Sequence, residues 1–259
     1  MVDALEVQSL SKSFGAIQVA RDISIKLEPG ARHALIGPNG AGKTSLVGML
    51  SGVITPNSGR ILLYGQDIMK DSPSVRTRNG LVRTFQVSNL FVNLTVLENV
   101  YLAVNEQLRS SFDFWTGAGK KRELIARAEH VIEQMQLTGD IHKKVSEIAY
   151  GRQRLLEIAI ALALEPKVLL LDEPAAGIPH SETDLLLNAV YSLPKDIAIL
   201  MIEHDMQIVR RFANTVTVLV NGAVLTSGTP QDVMMSEQVR EVYLGHTGAN
   251  RFSSKSLHA

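Results

Sequence analysis

The stretch RHALIGPNGAGKT, residues 32–44, decides how this chain folds. Arg32–Ile36 has the pattern of a buried strand, Gly37–Thr44 matches G-x-x-x-x-G-K-[ST], and Lys43–Leu50 has helical character. A strand, a glycine-rich loop and a helix in this order turn several backbone N–H groups toward one point, where the helix N-terminus adds partial positive charge. A glycine turn with an incidental lysine is the alternative, but it does not explain the strand before and the helix after. The pattern therefore indicates a phosphate-binding loop.

The residue types in this loop suit a phosphorylated ligand. Gly37, Gly40 and Gly42 let the backbone curl around an anion. Lys43 can reach the β- and γ-phosphates, and the hydroxyl of Thr44 can ligate Mg²⁺. A nucleotide with its magnesium ion is the ligand that this chemistry favours.

Composition excludes several other classes of protein. The chain has 259 residues and no cysteine, which rules out disulfides, zinc–thiolate sites, iron–sulfur clusters and a cysteine nucleophile. Its 26 Lys and Arg balance 26 Asp and Glu, which disfavours nucleic acid as the main partner. We find no signal peptide pattern and no apolar run of the roughly 20 residues that span a bilayer. The expectation is a protein that is soluble, or peripheral through a partner.

Acidic side chains and a histidine follow two further strands. Val168–Leu171 is continuously apolar and ends at Asp172 and Glu173, whereas Ile197–Ile202 is followed closely by His204. Uninterrupted apolar strands suit a parallel sheet that is covered on both faces, so their carboxyl ends meet at one edge. There an aspartate can hold Mg²⁺, a glutamate can polarise a water molecule and a neutral imidazole can bond a phosphate. Taken alone, an exposed acid pair and a surface histidine are the commoner interpretations.

The middle of the chain, about residues 87–157, is predicted to be all-helical. Thr95 and Glu98 form a capping box before an apolar run. Apolar residues recur at the helical period over Lys120–Leu137, and Arg152–Leu164 is predicted to form a third helix.

Strand–helix alternation then resumes. Ser181-x-x-Asp184 is expected to cap a helix, and Asn221-Gly222 predicts a hairpin between Thr215–Val220 and Ala223–Thr226. Thr229, followed by a proline, is expected to start another helix.

The motifs, in this order, resemble those of the ATP-binding subunit of an ABC transporter, over about residues 5–245. The resemblance implies that Phe14 stacks on adenine and that Gln86 links Mg²⁺ and the attacking water to a membrane partner. It also implies that Asp172 is the Mg²⁺ aspartate, Glu173 the catalytic glutamate and His204 the switch histidine. The phosphate loop would bind the nucleotide through Gly37, Pro38, Asn39, Gly40, Ala41, Gly42, Lys43, Thr44 and Ser45. The signature motif, which binds the ATP of a second subunit, would lie at Ala149, Tyr150, Gly151 and Arg152.

The fold that this resemblance implies is α/β: a P-loop NTPase (RecA-like) core with an antiparallel β lobe and an inserted helical subdomain. Residues 1–245 would form a single ATPase domain. The β lobe and the first part of the core would occupy 1–86, the helical subdomain with the signature motif 87–157, and the second part of the core 158–245. A polar tail, 246–259, would follow.

Several stretches narrow the resemblance to the ATPases of branched-chain amino acid importers. They are Leu81–Gln86, Leu94–Asn99, Asp172–Gly177, Ile202–Met206 and Val242–Gly245. An ATPase of a urea or amide importer, or of a lipopolysaccharide exporter, is the alternative, because the cargo never touches this subunit. A non-transport ABC protein is a further alternative, although such proteins usually carry two cassettes, zinc sites or coiled-coil insertions.

The resemblance also implies cofactors and partners. ATP and Mg²⁺ would be the cofactors. The partners would be two membrane permease subunits, a second ATPase subunit in a homo- or heterodimer, and indirectly a substrate-binding protein, with no nucleic acid. The chain would lie at the cytoplasmic face of the membrane, held there by the permease subunits.

Three features depart from the family pattern. Ala149 replaces the signature serine, and Pro179 stands where Asn or Asp is usual. These two raise the alternative of a catalytically weak regulatory subunit. The stretch 109–119, with Phe112, Phe114 and Trp115, matches nothing in the family and suggests a small apolar cluster under a loop or a partner contact.

Overall fold

A computed structural model describes residues 2–84, 90–108 and 118–244. The ten strands in these ranges are β1 (Leu5–Phe14), β2 (Ile17–Leu27), β3 (Arg32–Ile36), β4 (Ser58–Leu63), β5 (Gln66–Asp67), β6 (Leu81–Arg83), β7 (Val168–Asp172), β8 (Ala198–Ile202), β9 (Thr215–Val220) and β10 (Ala223–Gly228). The helices described are α1 (Lys43–Leu50), α2 (Pro73–Arg78), α3 (Val96–Gln107), α4 (Ala118–Gln134), α5 (Tyr150–Ala163), α6 (His180–Tyr191), α7 (Met206–Phe212), α8 (Pro230–Met235) and α9 (Glu237–Leu244). Two 3-10 turns, Thr138–Asp140 and Val145–Glu147, precede α5.

The core is a six-stranded sheet in the order β10-β9-β3-β8-β7-β6. Strands β9, β3, β8, β7 and β6 run parallel, and β10 joins the edge in antiparallel pairing with β9. Alternate residues of β7 enter two different apolar cores, Leu169 and Leu171 on one face and Val168 and Leu170 on the other. Both faces are therefore covered, as the continuous apolar strands predict.

A second sheet, which is antiparallel, is formed by strands from the N-terminal part of the chain and packs against the core. Its four strands have the order β2-β1-β4-β5. Their apolar residues share one core with α1 and with one face of the parallel sheet. This sheet is the antiparallel β lobe expected from the sequence, and the α/β architecture is confirmed.

Helix α1, which begins at the phosphate loop, is held at its other end by a buried arginine. Arg76 of α2 is 2 % exposed, and its Nη1 donates to the carbonyl oxygens of Met49 and Leu50 at 2.7 Å each. These carbonyls belong to the last turn of α1, where a cation is favoured by the helix dipole. The arginine therefore anchors the C-terminal end of α1, the helix that begins at the phosphate loop.

The helical segment is confirmed where it is described. Thr95 and Glu98 form the predicted capping box of α3. Helix α4 begins two residues before the predicted Lys120 and ends three residues before Leu137. Helix α5 begins at Tyr150, two residues earlier than predicted, because Gly151 is accommodated inside its first turn. None of the helices in the described ranges is long and apolar enough to cross a bilayer.

The predicted cap at Ser181 is wrong. Helix α6 begins at His180 with Pro179 as its N-cap, so Ser181 lies within the first turn. Proline is favoured at a helix start because its φ is already fixed, and Pro179 therefore sets the boundary here. By contrast, Thr229 caps α8 as predicted, with its hydroxyl accepting from the Asp232 N–H.

Candidate active site

The site is built on the carboxyl edge of three neighbouring strands. Ile202, the last residue of β8, pairs with Leu35 of β3 on one side and with Asp172 of β7 on the other. The chain leaves these strands into the phosphate loop, into Glu203 and into Glu173. The parallel register therefore brings to one edge three segments that are distant in the sequence.

The phosphate loop is shaped by close backbone contacts that only glycine permits. A Cβ at Gly37 would fall on the carbonyl oxygen of Leu219, and one at Gly42 would fall on that of Val19. Gly42 also has a φ of 101°, which side chains disfavour. The loop is thus packed between β9 and β2, and its curvature does not depend on a ligand.

The other residues of the phosphate loop take part in its hydrogen bonds or lie exposed on it. The N–H of Ala41 donates to the carbonyl of Pro38 at 3.2 Å, and the Gly222 N–H donates to the carbonyl of Ala41 at 3.0 Å. Asn39 is exposed at the tip of the loop. Thr44 and Ser45 lie in the first turn of α1, which has no side-chain cap. The hydroxyls of that turn stand beside N–H groups that have no partner in the helix.

Lys43 is buried within this loop. Its Nζ donates to the carbonyl oxygens of Gly37 at 2.7 Å and Pro38 at 3.1 Å. Burial lowers the pKa of Lys43, while the nearby carboxylates of Glu173 and Asp172 raise it. The ammonium group is therefore held under the loop and close to both acids of the site.

Asp172 is paired with a cation. Its side chain is 1 % exposed, and its Oδ2 accepts from Nη2 of Arg83 at 2.7 Å. Glu173, the next residue, has a φ of 49° and donates its N–H to the carbonyl of Ile202 at 3.0 Å. A left-handed backbone at a non-glycine residue costs about 1–3 kcal/mol and persists only where the surroundings impose it. The backbone therefore turns sharply at Glu173, and the chain leaves the direction of β7 at this residue.

The end of β8 brings Glu203 and His204 beside this acid pair. Glu203 is 1 % exposed, and the imidazole of His204 is about half exposed, with its Nδ1 3.9 Å from Glu203 Oε2. Burial raises the pKa of Glu203, and Glu173 acts in the same direction, whereas the backbone N–H groups of Ala175 and His204 lower it. Lys43, Asp172, Glu173 and His204, which the sequence singled out, thus share one sheet edge.

Phe14 lies at an exposed hairpin on the β lobe. It pairs with Ile17, its side chain is 51 % exposed, and Lys12 Nζ is 4.9 Å from the centre of its ring. Two residues beyond Ile17, the carbonyl of Val19 lies under Gly42. The hairpin therefore lies near the phosphate loop with an aromatic face open.

The predicted signature residues form a second group at the start of α5. Ala149 is the N-cap and offers no side-chain hydrogen bond. Tyr150 reaches the loop that follows Glu173, where its hydroxyl lies 3.4 Å from the carbonyl oxygen of Ala176. A Cβ on Gly151 would fall on Glu182 Oε2 of α6, so a carboxylate flanks the first turn of α5.

Arg152 is engaged within its own chain. Its Nε bonds Asp140 Oδ2, and its Nη2 donates to the carbonyl of Gln136 at 2.7 Å. Lys143 Nζ also contacts Asp140, at 2.8 Å. The guanidinium thus ties α5 to the turn before it, a pairing that the local pattern at residues 148–152 does not show.

Two predictions lie outside the described residues. Gln86, expected to link Mg²⁺ to the membrane partner, belongs to residues 85–89. Phe112, Phe114 and Trp115, expected to form a cluster or a partner contact, belong to residues 109–117.

Comparison with known proteins identifies the family. Residues 20–176 match the family described as ABC transporter. The chain belongs to the ABC transporter family. It is an ATP-binding and ATP-hydrolysing subunit of such a transporter.

Relatives match this ABC subunit along nearly its whole length. It is 37 % identical to the high-affinity branched-chain amino acid transport ATP-binding protein BraF of Pseudomonas aeruginosa, over 93 % of this chain and 97 % of that protein. Identity to the corresponding protein LivG of Escherichia coli is 36 %, with the same coverage. The crystal structure of the ADP conformation of an ATP-binding cassette superposes with a TM-score of 0.83 at 28 % identity, covering 95 % of this chain and 100 % of that one.

Two residues of this ABC site were missed by the sequence analysis. Arg83 is the cation on Asp172, and Glu203 is the buried carboxylate behind Glu173 and His204. For Glu203 a signal existed, since a charged residue directly after a fully apolar strand must lie at the sheet edge. For Arg83 no local signal existed, because its partner is 89 residues away.

Proposed function

We propose that this subunit energises the import of branched-chain amino acids. The observation that carries the proposal is the 37 % and 36 % identity to BraF and LivG over 93 % of the chain. The match covers 97 % of each of these relatives, so it extends well beyond the nucleotide site. We also propose the domain boundaries given by the resemblance: the β lobe and the first part of the core end at residue 86, the helical subdomain ends at 157, and the second part of the core ends at 245.

The nucleotide is proposed to bind as Mg–ATP at the sheet edge. The N–H groups of the phosphate loop and the N-terminus of α1 would receive the phosphates, and Phe14 would stack on the adenine. Lys43 would exchange its bonds to the carbonyls of Gly37 and Pro38 for phosphate oxygens. Positioning and neutralisation of charge then lower the barrier.

The residues present fit a magnesium ion. Mg²⁺ prefers oxygen ligands and is usually held by one or two carboxylates together with substrate phosphates. The Thr44 hydroxyl and the Asp172 carboxylate would supply such donors, and Gln86 would add an amide oxygen. When bound, the ion would neutralise charge on the β- and γ-phosphates.

We propose roles in hydrolysis for side chains at the carboxyl edge of the sheet. Glu173 would take a proton from the attacking water, and His204 would donate to the γ-phosphate. Gln86 would link the site to the permease. The imidazole of His204 is about half exposed and so is accessible to a phosphate, while its backbone N–H is held by Glu203.

We propose the protein partners of this subunit from the residues at the start of α5. The start of α5, with Ala149, Tyr150, Gly151 and Arg152, would face the ATP bound to another ATPase subunit. Two permease subunits would hold the pair at the cytoplasmic face of the membrane, and a substrate-binding protein would deliver the cargo. Since each site is completed only on closure, the isolated chain should hydrolyse ATP slowly and be stimulated by its permease.

Uptake by cells tests the transport proposal. The gene is deleted, and uptake of labelled leucine, glutamate and urea is compared with that of the parent and of a strain carrying the gene on a plasmid. We expect leucine uptake to fall and to be restored by the plasmid. A selective loss of urea uptake, or an envelope lipid defect with all uptake intact, would contradict the proposal.

A further inference from the structure

Glu203 is a buried carboxylate with both oxygens bound to backbone N–H groups. Its Oε1 accepts from the Ala175 N–H at 3.1 Å, and its Oε2 accepts from the His204 N–H at 3.2 Å. The residue is 1 % exposed. The two N–H donors favour the ionised form of this carboxylate, because each places a partial positive charge against one oxygen.

The two N–H groups belong to the two segments that carry Glu173 and His204. Glu173 is bonded to β8 through its own N–H, which donates to the Ile202 carbonyl. After Pro174, which has no N–H, Ala175 is the next residue able to bond, and it bonds Glu203. The turn that carries Glu173 is therefore fastened to β8 on both sides of its side chain.

A third contact fastens Glu203 to the strand of the phosphate loop. The Glu203 N–H donates to the carbonyl of Leu35 at 3.4 Å, two residues before Gly37. Glu203 thus contacts β3 itself and the segments that leave β7 and β8. Both of its carboxylate oxygens are bound to backbone N–H groups, so we expect it to act on the reaction through other residues.

We propose that Glu203 is a positioning residue for ATP hydrolysis, whose carboxylate holds the backbones at Ala175 and His204 so that Glu173 and the His204 imidazole converge on the γ-phosphate. This inference rests on the proposed roles of Glu173 and His204. Burial of one carboxylate directly behind another is unfavourable. The arrangement persists because two N–H dipoles stabilise the Glu203 charge.

Two variants distinguish the contributions that the shape, the charge and the length of the Glu203 side chain make. Glu203→Gln keeps the shape, but its amide offers one acceptor, so one of the two N–H groups loses its partner. Glu203→Asp keeps the charge and is shorter by one methylene, so it cannot span both N–H groups. A positioning role predicts that both variants are impaired, whereas a role of charge alone predicts that Glu203→Asp is not.

The test compares turnover with nucleotide affinity in the full chain. We expect kcat to fall about tenfold or more in Glu203→Gln and Glu203→Asp, because even a small misplacement of Glu173 and His204 slows the chemical step. The Kd for ATP should stay within about threefold, because the phosphate loop is untouched. Glu98→Gln is the matched control: it also removes a carboxylate acceptor from a backbone N–H, in the capping box of α3, and should keep kcat.

Hydrogen exchange supplies a measurement that does not depend on turnover. In the unmodified chain, the amides of Ala175 and His204 should exchange at least about tenfold more slowly than in a free peptide. In Glu203→Gln, exchange at one of these amides should accelerate while β7 and β8 remain protected. Free exchange of both amides in the unmodified chain would overturn the inference, even if neither variant folds.

Glu173→Gln, measured in parallel, distinguishes failure of the inference from failure of the proposed site. If Glu173→Gln abolishes turnover and Glu203→Gln keeps kcat within about twofold, the inference alone is wrong. An equal loss of ATP affinity and kcat in Glu203→Gln would assign Glu203 to general stability and also overturn it. If Glu173→Gln retains full turnover, the proposed site itself is wrong.

Discussion

Helices α1 and α5 both begin without a side-chain cap, but their surroundings differ. Helices α2, α3, α7 and α8 are capped by Ser72, Thr95, Asp205 and Thr229. Helix α1 instead follows a glycine loop with Lys43 beneath it, whereas α5 follows Ala149 and has Glu182 against its first turn. An uncapped first turn leaves N–H groups that can bind an anion.

Under the proposed function, the two helix ends would divide the work. The N-terminus of α1, with Lys43 as its own cation, would hold a phosphate chain within one subunit. The N-terminus of α5 has a carboxylate as neighbour, so it would suit a phosphate that is already held and neutralised by another subunit. Three substitutions test this division, and acid tests the stability of the strand that leads into α1.

Lys43→Met should weaken ATP binding by about 100-fold or more, or about 3 kcal/mol, because charge-assisted bonds to phosphate are lost. Isothermal titration with ATP in the full chain measures this. Lys26→Met is the control, since Lys26 is an exposed lysine paired with Glu6. If both variants bind ATP equally well, the contrast between α1 and α5 is lost.

Acid should destabilise the folded protein through a buried histidine in β3, the strand that leads into the phosphate loop and α1. His33 of β3 is buried, its Nε2 is 2.8 Å from Thr217 Oγ1, and burial lowers its pKa from 6.5 to about 4. The unfolded chain therefore binds more protons between these values, and stability falls as pH drops below about 6.5. This group alone should remove about 2 kcal/mol between pH 7 and pH 5.

Urea unfolding at both pH values measures the effect. His33→Gln, which cannot be protonated, should show a pH dependence smaller by that amount. The same pH dependence in both chains would mean that His33 is protonated in the folded state.

Ala149→Ser should strengthen the α5 side. A serine hydroxyl there can donate to the γ-phosphate on another subunit, and a bond to a charged group is worth about 1.5–3 kcal/mol. In a Glu173→Gln background, light scattering should show an ATP-dependent dimer tightened about tenfold or more. The dimer population without ATP is the control and should not change. An equal or weaker dimer with ATP would mean that the start of α5 does not face that phosphate.

Glu182→Gln should have the smallest effect. Removing the carboxylate beside Gly151 makes the α5 N-terminus more favourable for a phosphate by about 0.3–1 kcal/mol. The ATP-dependent dimer should tighten about two- to fivefold. Glu129→Gln, an exposed change on α4, should leave it unchanged. A weaker dimer in Glu182→Gln would show that Glu182 orders α5 for binding.

The sequence predicted the segments whose signals are local. Strand β3 and helix α1 have the predicted bounds, because an apolar strand, a glycine loop and a helix follow each other without a gap. The α3 capping box and the Thr229 cap were likewise predicted from three-residue spacings. Convergence of Asp172, Glu173 and His204 followed from the rule that parallel strands share a carboxyl edge.

The remaining features depend on contacts between distant residues. Arg152 pairs with Asp140, and Arg83 pairs with Asp172, so charge type alone did not reveal either partner. Ser181 matched a capping pattern, yet the proline two residues earlier had already started α6. The apolar strand before Glu203 places it at the sheet edge, but the two backbone N–H groups that its carboxylate binds are brought to it only by the folded sheet.

Glu173→Gln tests most directly the claim that turnover depends on the sheet edge beside α1. The phosphate loop is unchanged in this variant, so the Kd for ATP should stay within about threefold of that of the unmodified chain. Hydrolysis measured in a single turnover should fall about 100-fold or more, because the group proposed to take the proton from water is gone. Hydrolysis within about threefold of the unmodified rate would contradict the account.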